Sequence, residues 1–215
     1  GGGAMAGQMS FAAMTQKKKE DSADAPIATV QVDGLVLLKI QKHVKEFAPS
    51  VVSGQLLGLD VGSTLEVTNC FPFPSVKGDG DGEGVDPDEG ASYQLEMMRS
   101  LRDVNVDNNH VGWYQSTFKG TFQTVEMIET FMSYSESIKR CVCLLYDPDK
   151  EHGGVRAFKA IKLTDRFMEL YRGRHLSAEK VLQTGFTWSE IFQEVPLAVH
   201  NSALAAAFVQ ALGQG

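Results

Sequence analysis

Residues 110–128 read HVGWYQSTFKGTFQTVEMI, and the order of residue types along that stretch decides the fold. The opening, His110 to Gln115, is a short apolar run that predicts a buried strand running into a turn. Residues 123–137 then set Val125, Ile128, Phe131 and Met132 at helical spacing. The stretch is therefore a strand, a polar elbow and a helix. Side chains that converge from a strand end and a facing helix are a common setting for a hydrolytic zinc site, so the elbow is where chemistry is sought first.

Zinc needs imidazole, thiolate or carboxylate lone pairs, and a catalytic site needs three protein ligands plus a water activated by a nearby base. The elbow offers Gln115, Ser116 and Thr117, a neutral amide and two hydroxyls, which are poor zinc ligands. Val125 and Ile128 lie one helical turn apart and present an apolar face to the same space, which suits filling a pocket rather than lining an aqueous one. His110, Glu126 and Glu129 are near in sequence but show no ligand spacing. No metal, cofactor or catalytic residue is expected.

The word Val111-Gly112-Trp113-Tyr114 followed by a polar triplet resembles the core of the MPN domain, whose metalloprotease members read V-G-W-Y-H-S-H-P with a serine and an aspartate further along. Aligned on that word, the two histidines fall on Gln115 and Thr117, the proline on Phe118, the helix serine on Val125 and the aspartate on Ile128. Only Ser116 matches. The general-base glutamate falls on Val51, at the start of VVSGQLLG. Further words, VQVDGLVLLKIQKHV, SGQLLGL, LEVTNCFPFP, YQLEMMRSLRDVNVD, LLYDP and FQEVPLAVHNSAL, resemble in order the MPN-domain subunits of eukaryotic translation initiation factor three that lack the zinc motif. NCFPFP and EMMRSLR are the more specific of these, because V-G-W-Y is shared across the superfamily. The acidic, glycine-rich segment after Phe73 is a weak match. Members of that branch continue into a helical region, so the resemblance implies that this chain stops short near Gly215.

A length of 215 residues with 43% hydrophobic composition suffices for one well-buried domain. A formal net charge of −7 argues against a dominant nucleic-acid or membrane surface and points to protein partners. Three cysteines, an odd number without metal-finger spacing, fit free thiols in a reducing compartment. Cys141 and Cys143 share one side of an apolar strand and read as small packed hydrophobes. The sequence shows no signal peptide and no run of about twenty apolar residues, so a cytoplasmic protein is expected.

Residues 1–26 open with GGGAMAGQM, which looks like an expression scar, and continue to a KKKED charge run; a disordered tail is expected. Lys17 to Lys19, followed by Glu20 and Asp21, read as solvated rather than as a phosphate site. Residues 27–200 form the domain. A strand over 28–32 leads at Gly34 into a helix carrying Leu35, Leu38, Val44 and Phe47 among its apolar positions, ended by Pro49. Residues 51–59 and 65–71 predict a hairpin across 60–63, with Leu65, Val67, Asn69 and Phe71 on one face. The loop over 75–91 contains GDGDGEGVDPDEG, yet an EF-hand counted from Asp79 would need its glutamate at Gly90, so a solvated loop is expected. A helix over 92–106 follows. Beyond the elbow come a strand over 140–146, a turn at Asp147-Pro148-Asp149, a strand over 155–163 and a helix opening at Thr164-Asp165. A short helix near Ser177, a segment centred on Trp188 and one extended stretch over 194–199 complete the domain, and residues 201–215 begin a C-terminal helical region.

These elements predict a single α/β domain, and the resemblance implies a mixed β-sheet flanked by helices in the MPN architecture with its zinc motif lost. It also implies a non-catalytic scaffold that forms a heterodimer with a second MPN protein, the F subunit of initiation factor three. Such a scaffold joins the factor's other subunits and supports recruitment of messenger RNA to the small ribosomal subunit. The opposing reading is a zinc-dependent isopeptidase of the deubiquitinase type. Direct RNA binding would require aromatic and basic words that are missing, so neither specific nucleic-acid contact nor membrane contact is expected. Adjacent helical residues lie about 100° apart, so Met98 can face the sheet while Met97, one turn from Tyr93, faces outward. Tyr93 and Met97 are therefore the candidate partner-binding residues, with the first and C-terminal helices supplying a second contact.

Overall fold

A computed structural model describes residues 26–74, 92–93, 95–97, 99–101, 109–174 and 185–201. The expectations for residues 1–25, the acidic loop 75–91, the helix end 102–106, the short helix near Ser177 and the final helix beyond Asn201 lie outside them. The described elements are β1 (Thr29–Asp33), α1 (Gly34–Phe47), β2 (Ser53–Val61), β3 (Thr64–Pro72) and helical residues at 92–93, 95–97 and 99–101. There follow β4 (His110–Ser116), α2 (Val125–Ser137), β5 (Val142–Tyr146), a 3-10 segment (Pro148–Ala157), β6 (Phe158–Leu163) and α3 (Asp165–Arg174). The short α4 (Trp188–Ile191), β7 (Phe192–Val195) and β8 (Leu197–His200) close the series.

The strands form one mixed sheet in the order β7-β6-β5-β4-β2-β3-β1-β8, with β4 near its centre. Strand β4 pairs antiparallel with β2 and parallel with β5. Its two faces feed two cores. Val111 and Tyr114 pack with Val36, Ile40 and Val44 of α1, and Trp113 packs with Ile128 and Phe131 of α2. This is the mixed sheet flanked by helices that the MPN resemblance implies.

Two bulges set which side chain meets which core. Between β2 and β3 the register steps from Leu57↔Asn69 to Gly58↔Val67, leaving Thr68 as the extra residue. The face that begins with Leu65 and Val67 therefore continues at Cys70, not at Asn69 and Phe71 as strict alternation predicts. Between β2 and β4 the step from Leu56↔Gly112 to Leu57↔His110 skips Val111. Gly112 sits there at φ 142°, and a Cβ on it would collide with the Val142 carbonyl of β5.

Further expectations are corrected. The extended stretch 194–199 is two strands broken at Pro196, and they lie on opposite edges of the sheet, β7 beside β6 and β8 beside β1. A single residue can join opposite edges only if the sheet curls until they meet, and the Val30 N–H donates to the Pro196 carbonyl at that seam, 2.9 Å. Strand β6 begins at Phe158 rather than 155, because the 3-10 segment runs to Ala157 and leaves Val155 exposed. On α1 the buried stripe is Val36, Leu37, Ile40 and Val44, whereas Leu35 and Leu38 are 67% and 63% exposed. The hairpin forms as expected, but its turn is only Gly62 and Ser63 rather than 60–63 because Asp60 and Val61 still pair with Leu65 and Thr64; the helix opens at Thr164 as expected, and the Thr164 hydroxyl accepts the Phe167 N–H at 3.3 Å.

Candidate functional site

The elbow lies where β4 ends and α2 begins. Helix α2 starts at Val125, two residues later than the spacing predicts, because Thr124 is its cap and accepts the Met127 N–H through its hydroxyl at 3.2 Å. Lys119 and Gly120, both at positive φ, turn the chain between strand and helix, and Phe118 bridges to Thr121 across that turn.

Each residue on a zinc-motif position now has a place. Gln115 is half-buried and pairs with Ser53 and Leu145 in the sheet. Ser116 is buried: its Oγ accepts the Val52 N–H at 2.9 Å, and its own N–H donates to the Val52 carbonyl at 2.9 Å. The one motif residue that matches is thus used to pin β4 to the segment before β2. Thr117 is buried, and its N–H donates to the Tyr146 carbonyl at 2.8 Å. Val51 is 52% exposed. Ile128, on the aspartate position, has no exposed surface and packs in the α2-side core, with Val125 partly buried at its edge.

These donors do not fit zinc. An amide, a hydroxyl and an isoleucine offer no anionic or imidazole ligand, and among the described residues no three His, Cys, Asp or Glu side chains gather as a ligand set. Below the elbow lies a cavity of about 80 Å³ lined by Thr117, Gly120, Phe122 and Leu145 among others. The carboxylate in that lining, Asp147, is engaged by the Lys150 ammonium at 2.8 Å and the Asp149 N–H at 3.2 Å. The nearby candidates also point elsewhere. Glu126 is exposed on the first turn of α2, where its own N–H and Thr124 hold its pKa down. His110 sits at the far end of β4, six residues from Ser116, about 20 Å away in an extended strand.

Sequence reasoning missed three polar contacts in the interior. Gln55 of β2 is fully buried; its amide nitrogen meets His110 Nδ1 and its carbonyl accepts the Tyr134 hydroxyl at 3.0 Å. On the other face the Tyr114 hydroxyl meets His43 Nδ1 of α1 at 2.8 Å. Burial pushes the Tyr114 phenol up and the His43 imidazole down, so both groups stay neutral. A glutamine inside a hydrophobic strand and a histidine on an apolar helix face were the available signals. The cysteines behave as packed thiols: burial pushes Cys70 up to about 11 and Cys141 up to about 12, and Cys143 is fully buried.

Tyr93 and Met97 are both half-buried. Tyr93 packs edge-on against Phe71, with ring centroids 6.5 Å apart. It also lines a groove of about 430 Å³ with His43, Phe47 and Phe73. Leu95, between the two candidates, is 70% exposed. Met98 lies outside the described residues.

Sheet order, curled edges and the elbow define an MPN-type domain. The family described as JAB1/Mov34/MPN/PAD-1 ubiquitin protease matches residues 25–140, and the chain belongs to it. Within that family the likeness is to one initiation-factor subunit. The family described as the C-terminal region of eIF3h matches residues 152–214. The H subunit of eukaryotic translation initiation factor 3 from Arabidopsis thaliana is 60% identical over 194 residues, 90% of this chain and 56% of the relative. The corresponding H subunits of Dictyostelium discoideum and Xenopus laevis are 44% and 46% identical over 88% and 87% of this chain, and 59% and 57% of their own lengths. The chain therefore spans just over half the length of these curated relatives.

Proposed function

We propose that this chain is the MPN domain of an H subunit of initiation factor three and acts as a non-catalytic scaffold. It pairs with the MPN domain of the factor's F subunit, holds to the remaining subunits in the cytoplasm, and through the complex supports messenger RNA recruitment to the small ribosomal subunit. Its relatives carry the H-subunit name. The observation that carries the non-catalytic reading is Ile128, an apolar side chain with no exposed surface at the position where the family's proteases place a zinc-binding aspartate. Among the described residues no helix is long and apolar enough to cross a membrane.

The pairing surface proposed is that of Tyr93 and Met97. A half-exposed thioether one turn from a half-exposed tyrosine, beside the exposed Leu95, has the chemistry of a hydrophobic hot spot. Leu35 and Leu38 add an outward apolar pair on α1 for the second contact. Met97→Asp is expected to weaken binding to the F subunit by at least about tenfold, the loss of about 1.4 kcal/mol, while circular dichroism of the isolated chain stays native. Unchanged affinity with a native spectrum would remove this surface from the account.

A further inference from the structure

Around Gln55 the α2-side core holds more hydrogen-bond donors than acceptors. Gln55 stands on β2 with no exposed surface, opposite Trp113 of β4. Its side chain brings one carbonyl oxygen and two N–H groups. The carbonyl accepts the Tyr134 hydroxyl of α2 at 3.0 Å, and the amide nitrogen faces His110 Nδ1 at the start of β4. The Trp113 indole, stacked on Tyr134 with ring centroids 4.7 Å apart, has its N–H buried without an acceptor. A cluster that leaves one buried donor unpaired has no acceptor to spare for a second.

These directions fix the state of His110. The ring can take an N–H from Gln55 only through a bare Nδ1, so the resting imidazole is neutral with its proton on Nε2. Burial acts in the same sense and holds the ring below its ordinary pKa. The groups around it are neutral as well. From β2 come the Gln55 amide and the apolar Leu57, and from α2 the Tyr134 phenol; beside Tyr134 lie the Cys141 and Cys143 thiols. Burial pushes the phenol and both thiols up, so none of them carries charge. Among the described residues no carboxylate or ammonium shifts the ring.

A proton taken from solvent enters at Nδ1, the bare lone pair, and there two donors meet. The acceptor that Gln55 can offer in exchange is the carbonyl already held by Tyr134. Turning the amide over gives that carbonyl to the imidazolium and sets the NH2 against the Tyr134 oxygen, whose own O–H must then point elsewhere. We propose that His110, Gln55 and Tyr134 form a proton-operated latch, in which a proton on His110 Nδ1 turns the Gln55 amide and releases the Tyr134 hydroxyl that ties the C-terminal half of α2 to the sheet. The latch is closed at neutral pH and opens as pH falls below the ordinary histidine value of 6.5 toward the ring's lower folded value. Phe131 of the same helix still packs on Trp113, with centroids 4.5 Å apart, so release loosens this half of α2 without unfolding it.

Long-range proton–nitrogen correlation spectra of the full chain read the tautomer directly, and the Nε2–H form of His110 is expected at neutral pH. Amide exchange of residues 131–137, corrected for its intrinsic pH dependence and referred to β5, is expected to quicken at least about threefold from about pH 7.5 to about pH 5.5. His110→Asn keeps an oxygen for the Gln55 amide but cannot take up the proton, and it is expected to retain the protection and lose the pH response. Tyr134→Phe leaves the ring on Trp113 and is expected to show the faster exchange at both pH values. His43 is unaltered in these variants, so a response that disappears with His110 does not come from it, and the amides of β5 report that each variant is folded. An Nδ1–H tautomer at neutral pH, exchange of 131–137 that ignores pH, a response that survives His110→Asn, or parental protection in Tyr134→Phe would each overturn the latch.

Discussion

The two halves of β4 have had different fates. From Val111 to Tyr114 every side chain is buried, divided between the α1-side and α2-side cores, and the residues are those of the MPN word. From Gln115 to Thr117 the family's two histidines are replaced by an amide and a hydroxyl, and the retained Ser116 and the substituted Thr117 spend hydrogen bonds on the backbone, Ser116 on Val52 and Thr117 on Tyr146. V-G-W-Y is thus a packing motif and the triplet after it a chemical one. The first can persist after the second has gone, because the sheet and both cores depend on it.

The largest effect should come from the packing half. Gly112→Ala would place a Cβ against the Val142 carbonyl at a φ of 142°, and it is expected to cost more than about 4 kcal/mol and abolish a cooperative melt. A cooperative melt within a few degrees of the parent would show that β4 and β5 can part, and would end the claim that this word is fixed by packing. Next is the chemical half. Ile128→Asp buries an unpaired carboxylate among Trp113, Phe131 and Leu145, and is expected to lower stability by about 3–5 kcal/mol in denaturant titration. An unchanged titration would mean that water reaches this face and that the pocket is not filled.

A smaller effect belongs to His43, whose bond to Tyr114 ties the preserved half to α1. Burial lowers the pKa of His43, and likewise of His110, so the unfolded chain binds protons more readily than the folded one. The stability from keeping these rings neutral is fully present above their unfolded value of 6.5 and is lost as pH falls from there through their lower folded values. The melting temperature should therefore fall on acidification below 6.5, and the slope should shrink in His43→Gln. A slope unchanged by that substitution would assign the pH dependence to other groups.

Much of this fold was legible because periodicity survives wherever one face is buried. The hairpin, the α2 stripe of Ile128 and Phe131 and the Thr164 start all follow from local spacing. The bulges at Thr68 and Val111 were not legible, since an extra residue shifts the face without changing composition. The break at Pro196 was likewise hidden: Glu194 to Val199 reads as one extended run, and only the curled sheet sends its halves to opposite edges. For the elbow, the donor chemistry could be read from residue types alone. The bonds from Gln55 to His110 and Tyr134, and from His43 to Tyr114, join positions 55 to 79 residues apart, which local patterns do not connect.

Elemental analysis of the purified protein tests the central claim most directly, because the scaffold reading rests on an elbow without zinc ligands. The expected result is zinc well below one per chain, with no hydrolysis of a ubiquitin conjugate before or after chelation. One zinc per chain, lost on chelation together with measurable isopeptidase activity, would contradict it.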